Sequence, residues 1–424
     1  MSRDPSPPGR TWLRLTACFL AAGLLWGCYP SMRYLYRPVL TATGADFMAA
    51  LTVASGNEVV DGNDVVLLEN GIQAFPAMLG AIAGAKSSVH MEMYIFRDSE
   101  IGREFVEALA ERARTGVRVR LLLDALGSTG FGDRNRRVLE DAGAYVEFFR
   151  PVRLFSLRNV HLRTHRKVLI VDGETAFTGG ICIDDSWMGD ADAPDRWRET
   201  QVLVRGPVVR QMQVAFARAW LEATGELLNS QPLYPFLEPV GDKRCQLMDS
   251  TPGVATNPAR LSFLVAVESA QESLDVTNPY FVPDRSMKDA LMAAARRGVR
   301  VRLILSGRKT DIKPVRYAGR ISYHDLLEAG VEIFEYQPAR LHAKTAVVDG
   351  LWATVGSTNI NRRSFAWNYE SNLNVFDRGF AGELVGMFER DLLVSRQVTL
   401  EDWKERPFSQ KIKERFWGIF RSQF

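Results

Sequence analysis

The sequence contains HRKVLIVDG at residues 165–173 and HAKTAVVDG at residues 342–350. Each stretch places a histidine and a lysine two residues apart, followed by a mainly apolar run and then by Asp-Gly. The apolar run predicts a buried β-strand. Because alternate residues of a strand share a face, the histidine and the lysine of each stretch are expected to point the same way.

The similarity extends outward from these two stretches. VRVRLLLD at 117–124 corresponds to VRVRLILS at 299–306, and AYVEFF at 144–149 corresponds to VEIFEY at 331–336. Helix-like segments alternate with these strands in both copies. Continuous apolar strands alternating with helices predict an α/β fold with buried, mostly parallel strands covered on both faces.

The chain is therefore interpreted as a duplication. His342 follows His165, and Lys344 follows Lys167, by the same 177 residues. We expect two duplicated α/β sandwich domains, residues 57–228 and 241–400, with pseudo-twofold symmetry and a shared active-site cleft. The Pro-containing segment 228–241 would separate them.

The motif residues themselves indicate anion chemistry. Pseudo-twofold packing would bring His165, Lys167, His342 and Lys344 into one cleft. Such a cluster of cations is costly unless it binds an anion, and a phosphate diester is the obvious candidate. The lysines would neutralise its oxygens, while one histidine attacks phosphorus and the other protonates the leaving oxygen. The two imidazoles should titrate as a coupled pair.

Both stretches resemble the two HxKxxxxD motifs of the phospholipase D superfamily. GGIC at 179–182 and GSTN at 356–359 fit the same pattern, and residues 57–406 are similar to bacterial cardiolipin synthases. The resemblance implies that His165 is the nucleophile that forms a phosphohistidine and that His342 is the general acid and later the base. It further implies that Lys167 and Lys344 hold the phosphate.

The resemblance also implies supporting residues. Glu199 in RWRET and Glu370 in NYESN match the acidic residues that orient the histidines through the far ring nitrogen. Asp172 and Asp349 belong to the motif and are expected to support structure rather than to touch substrate.

The phosphate pocket would be completed by Ser357 and Asn359. Cys182 stands where the first copy of the family motif usually has asparagine, which puts one phosphate contact in doubt because a thiol is a poor replacement for an amide donor. Tyr94 and Tyr280 follow matching strands, and we expect a hydrophobic role for both. No metal-ligand spacing appears, and the implied mechanism requires no metal or cofactor.

Several activities fit this pattern. The first is a cardiolipin synthase-type phosphatidyl transferase that converts two phosphatidylglycerol molecules to cardiolipin and glycerol; phosphatidylethanolamine is a further possible donor. The alternatives are a phospholipase D that hydrolyses phospholipids to phosphatidic acid, and an inactive membrane-tethered binding protein. The 53 basic and 50 acidic residues, a net charge of +3, give no argument for nucleic acid as a partner.

The N-terminal 40 residues predict a membrane segment. The apolar run from Leu15 to Leu25 has the length of a signal-peptide core, and LLWGC ending at Cys28 resembles a bacterial lipobox. A lipidated Cys28 and an uncleaved anchor both remain open. Either would place the protein at a membrane of the bacterial cell envelope.

The C-terminal residues 401–424 predict a basic amphipathic tail. Its apolar positions recur at helical spacing, and its basic residues lie opposite them: Phe408, Ile412, Phe416, Ile419 and Phe420, against Lys411, Lys413 and Arg415. Contact with a lipid surface and packing on the protein core are both compatible with this pattern.

Overall fold

The structure is a computed structural model that describes residue 41 and residues 44–151, 160–229, 233–252 and 257–424. The predicted N-terminal membrane segment, including Cys28, lies outside the described residues. Within the described ranges, none of the helices combines the length and the apolar character that a membrane crossing requires.

The first repeat follows the predicted order of helices and strands. Its elements are α1 (Ala45–Ser55), β1 (Val60–Glu69), α2 (Asn70–Ala83), β2 (Ser88–Met93), α3 (Glu100–Arg114), β3 (Arg118–Asp124), α4 (Asp133–Asp141), β4 (Tyr145–Phe149), β5 (Arg163–Thr164), β6 (Lys167–Val171), β7 (Thr175–Gly179), β8 (Trp197–Arg198), β9 (Thr200–Arg205) and α5 (Val209–Thr224).

The second repeat uses the same series and adds a C-terminal extension. Its elements are β10 (Lys243–Ser250), α6 (Pro258–Ser269), β11 (Ser273–Asn278), α7 (Arg285–Arg296), β12 (Arg300–Ser306), α8 (Lys313–Arg320), α9 (Tyr323–Glu328), β13 (Glu332–Tyr336), β14 (Arg340–Leu341), β15 (Thr345–Val348), β16 (Trp352–Gly356), α10 (Arg362–Ala366), β17 (Asn368–Phe376), α11 (Arg378–Leu393), β18 (Ser395–Val398), α12 (Leu400–Glu405) and α13 (Phe408–Gly418).

Strands of both repeats form one continuous sheet, while β8 and β14 form a separate two-stranded sheet. Its order is β18-β13-β12-β11-β15-β16-β17-β10-β1-β9-β7-β6-β2-β3-β4. The first strands of the two repeats, β1 and β10, pair antiparallel and join the halves edge to edge. Because this junction gives each half a strand neighbour from the other, the two repeats share a sheet.

The prediction of mostly parallel strands was wrong, because the sheet is mixed. β2, β3 and β4 are parallel, as are β11, β12 and β13, whereas the motif strands β6 and β15 pair antiparallel with both neighbours. Each motif strand ends in a tight turn at the motif's Asp-Gly, with positive φ at Asp172 and at Asp349. The turn reverses the chain and makes an antiparallel hairpin. An apolar run covered on both faces carries no signal of strand direction.

Apolar burial also connects the halves. One core lies within the first repeat, around Phe105, Leu121 and Leu169. A second core combines side chains of both repeats, such as Phe216 and Leu373. The shared core, together with the continuous sheet, holds the two motif strands in a fixed relation.

Candidate active site

Two short strands exchange between the halves and place the histidines. β5 ends immediately before His165 and pairs in parallel with the start of β17, which leads to Glu370. In the other half β14 ends immediately before His342 and pairs in parallel with β8, which leads to Glu199. Each histidine is therefore placed beside the glutamate of the opposite repeat.

The His165 half-site is a hydrogen-bonded group of buried side chains. The imidazole Nδ1 lies 2.9 Å from Glu370 Oε2, and the backbone N–H of His165 donates to the carbonyl of Tyr369 at 2.9 Å. Glu370 also accepts hydrogen bonds from Ser357 Oγ at 2.6 Å and from Asn368 Nδ2 at 3.2 Å. The bond to Nδ1 leaves the Nε2 atom of His165 for a substrate.

The His342 half-site repeats this arrangement with different neighbours. The Nδ1 atom of His342 hydrogen-bonds Glu199 Oε2, and its backbone N–H donates to the carbonyl of Arg198 at 2.8 Å. Glu199 also accepts from the backbone N–H of Thr200 at 3.0 Å and lies 3.9 Å from Lys344 Nζ. A single buried carboxylate therefore serves both the imidazole and the ammonium of the second motif.

The two motif lysines are buried in equivalent positions. Lys167 donates to the carbonyl of His165, and Lys344 donates to the carbonyl of His342. Burial lowers the pKa of Lys167, and burial, opposed by Glu199, lowers the pKa of Lys344 to about 8. A buried ammonium is stabilised by an anion, so this pair favours a negatively charged ligand.

Burial also controls the histidines. It lowers the pKa of His165 to about 4, with Glu370 opposing the shift and Lys167 and Lys344 adding to it. It lowers the pKa of His342 to about 3, with Lys344 and Lys167 again contributing. The lysines of both motifs therefore lower the pKa of each histidine. The four side chains lie close enough to interact electrostatically, as the pseudo-twofold packing predicts.

The two glutamates remain ionised. Burial alone would raise the pKa of Glu199, but Lys344 and His342 outweigh it and lower that pKa to about 2. Burial likewise opposes the ionisation of Glu370, and His165 outweighs it, which lowers the pKa of Glu370. Each histidine consequently faces a carboxylate that can stabilise an imidazolium ion.

The loops after β7 and β16 differ between the copies. Asn359 is buried, and its Oδ1 atom has no hydrogen-bond partner among the described residues, which leaves this acceptor for a donor group of a ligand, such as a hydroxyl. Cys182, the corresponding residue, is fully buried in the first core together with Ile181 and Ile183. Burial raises the pKa of its thiol.

The motif aspartates lie at the other end of the motif strands. Asp172 accepts hydrogen bonds from the backbone N–H groups of Ser87 at 2.7 Å and Ser88 at 2.9 Å. Asp349 accepts them from Glu272 at 2.8 Å and from Ser273 at 2.9 Å. These contacts tie the hairpin turn to the start of the neighbouring strand, which is a structural function.

Sequence analysis missed the aromatic walls of the site. The ring of Tyr94 packs edge-on against the ring of His165, with 4.8 Å between the ring centroids. The Nζ atom of Lys167 lies 4.9 Å from the centroid of the same tyrosine ring. Tyr280 packs edge-on against His342 at 5.9 Å. The matching positions of the two tyrosines after β2 and β11 were the available signal, but the expectation of a hydrophobic role did not place them beside the histidines.

Two tryptophans contact only the second histidine. The rings of Trp187 and Trp197 lie 5.5 Å and 5.1 Å from the ring of His342. Both come from the first repeat, and no equivalent was visible in the sequence of the second. The His342 half-site is consequently enclosed by three aromatic rings.

The arrangement is suited to attack on a phosphate ester. Two neutral imidazoles present Nε2 atoms, two buried ammonium groups supply positive charge, and two ionised carboxylates fix the imidazole orientation. A nucleophile, a proton donor and an electrostatic pocket are thereby brought together from both repeats.

Sequence comparisons agree with the motif resemblance. The family described as cardiolipin synthase, PLD-like domain, matches residues 78–220 and 263–392. A cardiolipin synthase of Geobacillus kaustophilus is 37% identical over 83% of this chain and 70% of its own length. The major cardiolipin synthase ClsA of Bacillus subtilis is 33% identical over 88% of this chain and 78% of its own.

Solved structures show the same fold at low sequence identity. A phosphatidylserine synthase of Haemophilus influenzae superposes with a TM-score of 0.67 at 14% identity and covers 89% of this chain and 100% of its own. A polyphosphate kinase of Porphyromonas gingivalis gives a TM-score of 0.54 at 12% identity and covers 95% of this chain and 59% of its own. At these identities the likeness concerns the fold alone.

Proposed function

The chain belongs to the cardiolipin synthase family of phospholipase D-like proteins, and from this premise we propose how its two half-sites divide the reaction. The enzyme is a phosphatidyltransferase of the cardiolipin synthase type. We propose that it joins two phosphatidylglycerol molecules and that His165 carries the phosphatidyl group between them. The observation that carries the proposal is the crossed pairing of each histidine with the glutamate of the other repeat.

In the first step the Nε2 atom of His165 attacks the phosphorus of one phosphatidylglycerol. The bond between phosphorus and the glycerol oxygen breaks, and that oxygen takes a proton from Nε2 of His342. Free glycerol leaves, and a phosphatidyl group remains on His165 through a P–N bond. Lys167 and Lys344 offset the charge on the phosphate oxygens.

In the second step a second phosphatidylglycerol enters. Its headgroup hydroxyl gives a proton to His342, and its oxygen attacks the phosphorus. The P–N bond breaks, which yields cardiolipin and restores both histidines. One phosphodiester replaces another, so the enzyme must exclude water as a competing acceptor.

Both histidines have surroundings that suit the reaction, and the choice of His165 as the nucleophile follows the resemblance to the family. The pKa values of both imidazoles are low, so both are neutral at pH 7, which suits His165 as a nucleophile. His342 must acquire a proton, and the charge of a bound phosphodiester raises the pKa of nearby imidazoles. Glu199, whose pKa is about 2, supplies an ionised carboxylate for the resulting imidazolium.

The pocket residues complete the proposal. Asn359, whose amide N–H group can donate to a phosphate oxygen, and Ser357, which holds Glu370, are proposed to contact or position the phosphate. Cys182 is proposed to contribute no side-chain hydrogen bond of comparable strength, because a thiol is a weaker donor than an amide. Asp172 and Asp349 are proposed to act on structure alone.

The substrates place the reaction at a membrane surface. Phosphatidylglycerol resides in bilayers, so we propose that the protein works at a bacterial envelope membrane. The N-terminal segment with Cys28 would provide attachment, and phosphatidylethanolamine remains a second donor to be tested.

The direct test uses the purified full-length protein in mixed micelles with labelled phosphatidylglycerol. We expect release of glycerol and formation of cardiolipin. Phosphatidic acid as the sole lipid product would instead indicate a hydrolase. Absence of turnover with every phosphodiester tested would indicate a binding protein and contradict the proposal.

A further inference from the structure

The C-terminal helix α13 and the residue that follows it expose a row of apolar side chains, whereas the charged side chain of Glu414 is buried. The side chains of Phe408 and Ile419 are 76% and 74% exposed, and those of Ile412 and Phe416 are 52% and 51% exposed. These four residues follow one another at intervals of four, four and three, so they form one row along the helix. We refer to Phe408, Ile412, Phe416 and Ile419 as the apolar row.

A buried ion pair fixes this rotation of the helix. Glu414 is 2% exposed and accepts hydrogen bonds from Arg320 Nε at 2.9 Å, Arg406 Nε at 2.8 Å and Gln410 Nε2 at 3.0 Å. Turning the apolar row inward would break these three hydrogen bonds and remove one of the two carboxylates that neutralise buried Arg320, the other being Glu335. Since breaking a buried ion pair is expensive, this network favours the rotation with the apolar row outward.

Close packing holds the same inner face. Gly418 lies so near Ile321 that an added Cβ atom would sit 1.8 Å from its Cδ1. Trp417 packs with the cluster formed by Val282 and Val315. The helix is therefore docked on the core through one face, while the apolar row remains free to meet another surface.

Basic residues border the apolar row. Lys411 and Arg415 lie along one side of the row and Lys413 along the other. A recess beside the helix, with a volume of about 320 Å³, is lined by further cations, among them Arg308 and Lys313. An exposed apolar stripe between basic side chains is complementary to the acyl chains and anionic headgroups of a bilayer. Two copies of the same stripe would instead bring like charges together.

The inner face of the helix is linked to the active site through one small apolar cluster. Tyr280 packs against the same small cluster as Trp417 and contacts the ring of His342 at 5.9 Å. The carbonyl of the terminal Phe424 accepts a hydrogen bond from the backbone N–H of Arg363, four residues after Asn359. The outer face of the helix is thus connected to His342 through Trp417, the small apolar cluster and Tyr280.

We propose that α13 is a docking element for an anionic lipid bilayer, with the apolar row inserted among the acyl chains and the basic residues at the headgroups. The inference deepens the proposed function and rests on it in one respect, namely that the substrate is delivered from that bilayer. The helix serves to hold the cleft at the membrane surface.

The first experiment reads the position of the helix directly. A coumarin-bearing amino acid replaces Ile412 in the full-length protein, and brominated lipids in phosphatidylglycerol vesicles act as contact quenchers. We expect strong quenching at position 412 and none for the same probe at Phe236, which is 83% exposed and follows Pro235 beside the Gly173 turn, at the far end of the motif strand. Equal absence of quenching at both positions would overturn the proposal.

The second experiment uses activity. The variant Phe408→Ser/Ile412→Ser/Ile419→Ser is compared with Val53→Ser/Leu227→Ser/Phe236→Ser, which removes exposed apolar side chains elsewhere. We measure turnover of phosphatidylglycerol in vesicles and of a monomeric short-chain phosphatidylglycerol. The rate on vesicles divided by the rate on the monomeric substrate should fall by about tenfold for the first variant and stay unchanged for the second. An unchanged ratio in both variants would contradict the proposal.

The outcomes separate the two proposals. Failure to turn over either form of phosphatidylglycerol would contradict the proposed reaction, while quenching at position 412 would still establish the dock. A different result would assign the apolar row to contact with a second copy of the chain and overturn the proposed bilayer contact. The protein would then self-associate with increasing concentration, the Phe408→Ser/Ile412→Ser/Ile419→Ser variant would not, and lipid would not quench the probe.

Discussion

The two half-sites descend from one motif but hold their histidines in different surroundings. Around His165, the carboxylate of Glu370 is shared with the hydroxyl of Ser357 and the amide of Asn368. Around His342, the carboxylate of Glu199 instead lies 3.9 Å from the ammonium of Lys344. The pattern HxKxxxxD is the same in both, so the motif alone does not distinguish the two roles.

The difference begins at a single position in the loops after β7 and β16. Ser357 donates to Glu370, whereas the corresponding residue is Gly180, where an added Cβ atom would lie 2.3 Å from Glu199 Oε1. Glycine is thus required for Glu199 to occupy its place beside His342. A duplicated scaffold can therefore assign different proton chemistry to its halves through the neighbours of each carboxylate.

The largest expected effect comes from removing either histidine. His165→Asn and His342→Asn should each lower turnover of phosphatidylglycerol by more than about a thousandfold. With phosphatidyl p-nitrophenol, whose leaving group needs little protonation, His342→Asn should still release one equivalent of nitrophenol in a burst. His165→Asn should give no burst, and thermal unfolding would verify that both variants are folded. A burst in His165→Asn but not in His342→Asn would show that His342 is the nucleophile and His165 the proton donor.

The glutamates test the crossed pairing. Glu370→Gln should slow the burst of nitrophenol by about a hundredfold, because Glu370 orients His165. Glu199→Gln should leave the burst and slow the later steady-state rate by a similar factor, because it acts on His342. If each glutamate served the histidine of its own repeat, the two variants would show the opposite pattern in the same stopped-flow experiment.

The loop positions should show a smaller asymmetry. Asn359→Cys is expected to lower kcat/KM by about tenfold to a hundredfold, since a hydrogen bond to a charged phosphate is worth roughly 1.5–3 kcal/mol. Cys182→Asn should bring no gain in activity and should lower the free energy of unfolding by about 1–3 kcal/mol, because a larger side chain replaces a fully buried thiol in a packed region. A rise in kcat/KM for Cys182→Asn would show that this position does contact the phosphate.

The smallest effect is a displacement of the pH profile. Lys344, with a pKa of about 8, loses its positive charge as the pH rises, so kcat/KM should decline above about pH 8. Lys344→Arg should move this decline to higher pH because a guanidinium stays charged. Lys167→Arg is the matched control and should leave the decline in place. A decline near pH 8 that persists in Lys344→Arg would assign it to another group.

Much of the fold could be predicted from local pattern. The strands VRVRLLLD and VRVRLILS appear as β3 and β12, and the two motif stretches contain β6 and β15. Their apolar runs identify strands because each is buried on both faces. The direction of the neighbouring strands could not be predicted in this way: β3 and β12 are parallel to both neighbours, but the prediction of a mostly parallel sheet was wrong because the motif strands are antiparallel.

The residues of the candidate site could be predicted, but the pairing of each histidine with its glutamate could not. The period of a strand placed each histidine on the same face as its lysine. It gave no information about which glutamate would reach which imidazole, because the exchange of β5 and β14 between the halves is a long-range contact. The tyrosines and tryptophans around the rings escaped prediction for the same reason.

The amino-acid sequence by itself determined the duplication, the α/β alternation and the two histidine–lysine pairs, because these depend on residue type and on short-range periodicity. Only the tertiary structure decided that the halves share one sheet, that Glu199 and Glu370 cross between them, and that the C-terminal helix turns its apolar residues outward. Those outcomes depend on the partners that distant segments find, such as Arg320 for Glu414. Periodicity specifies which residues share a face but leaves open what that face will meet.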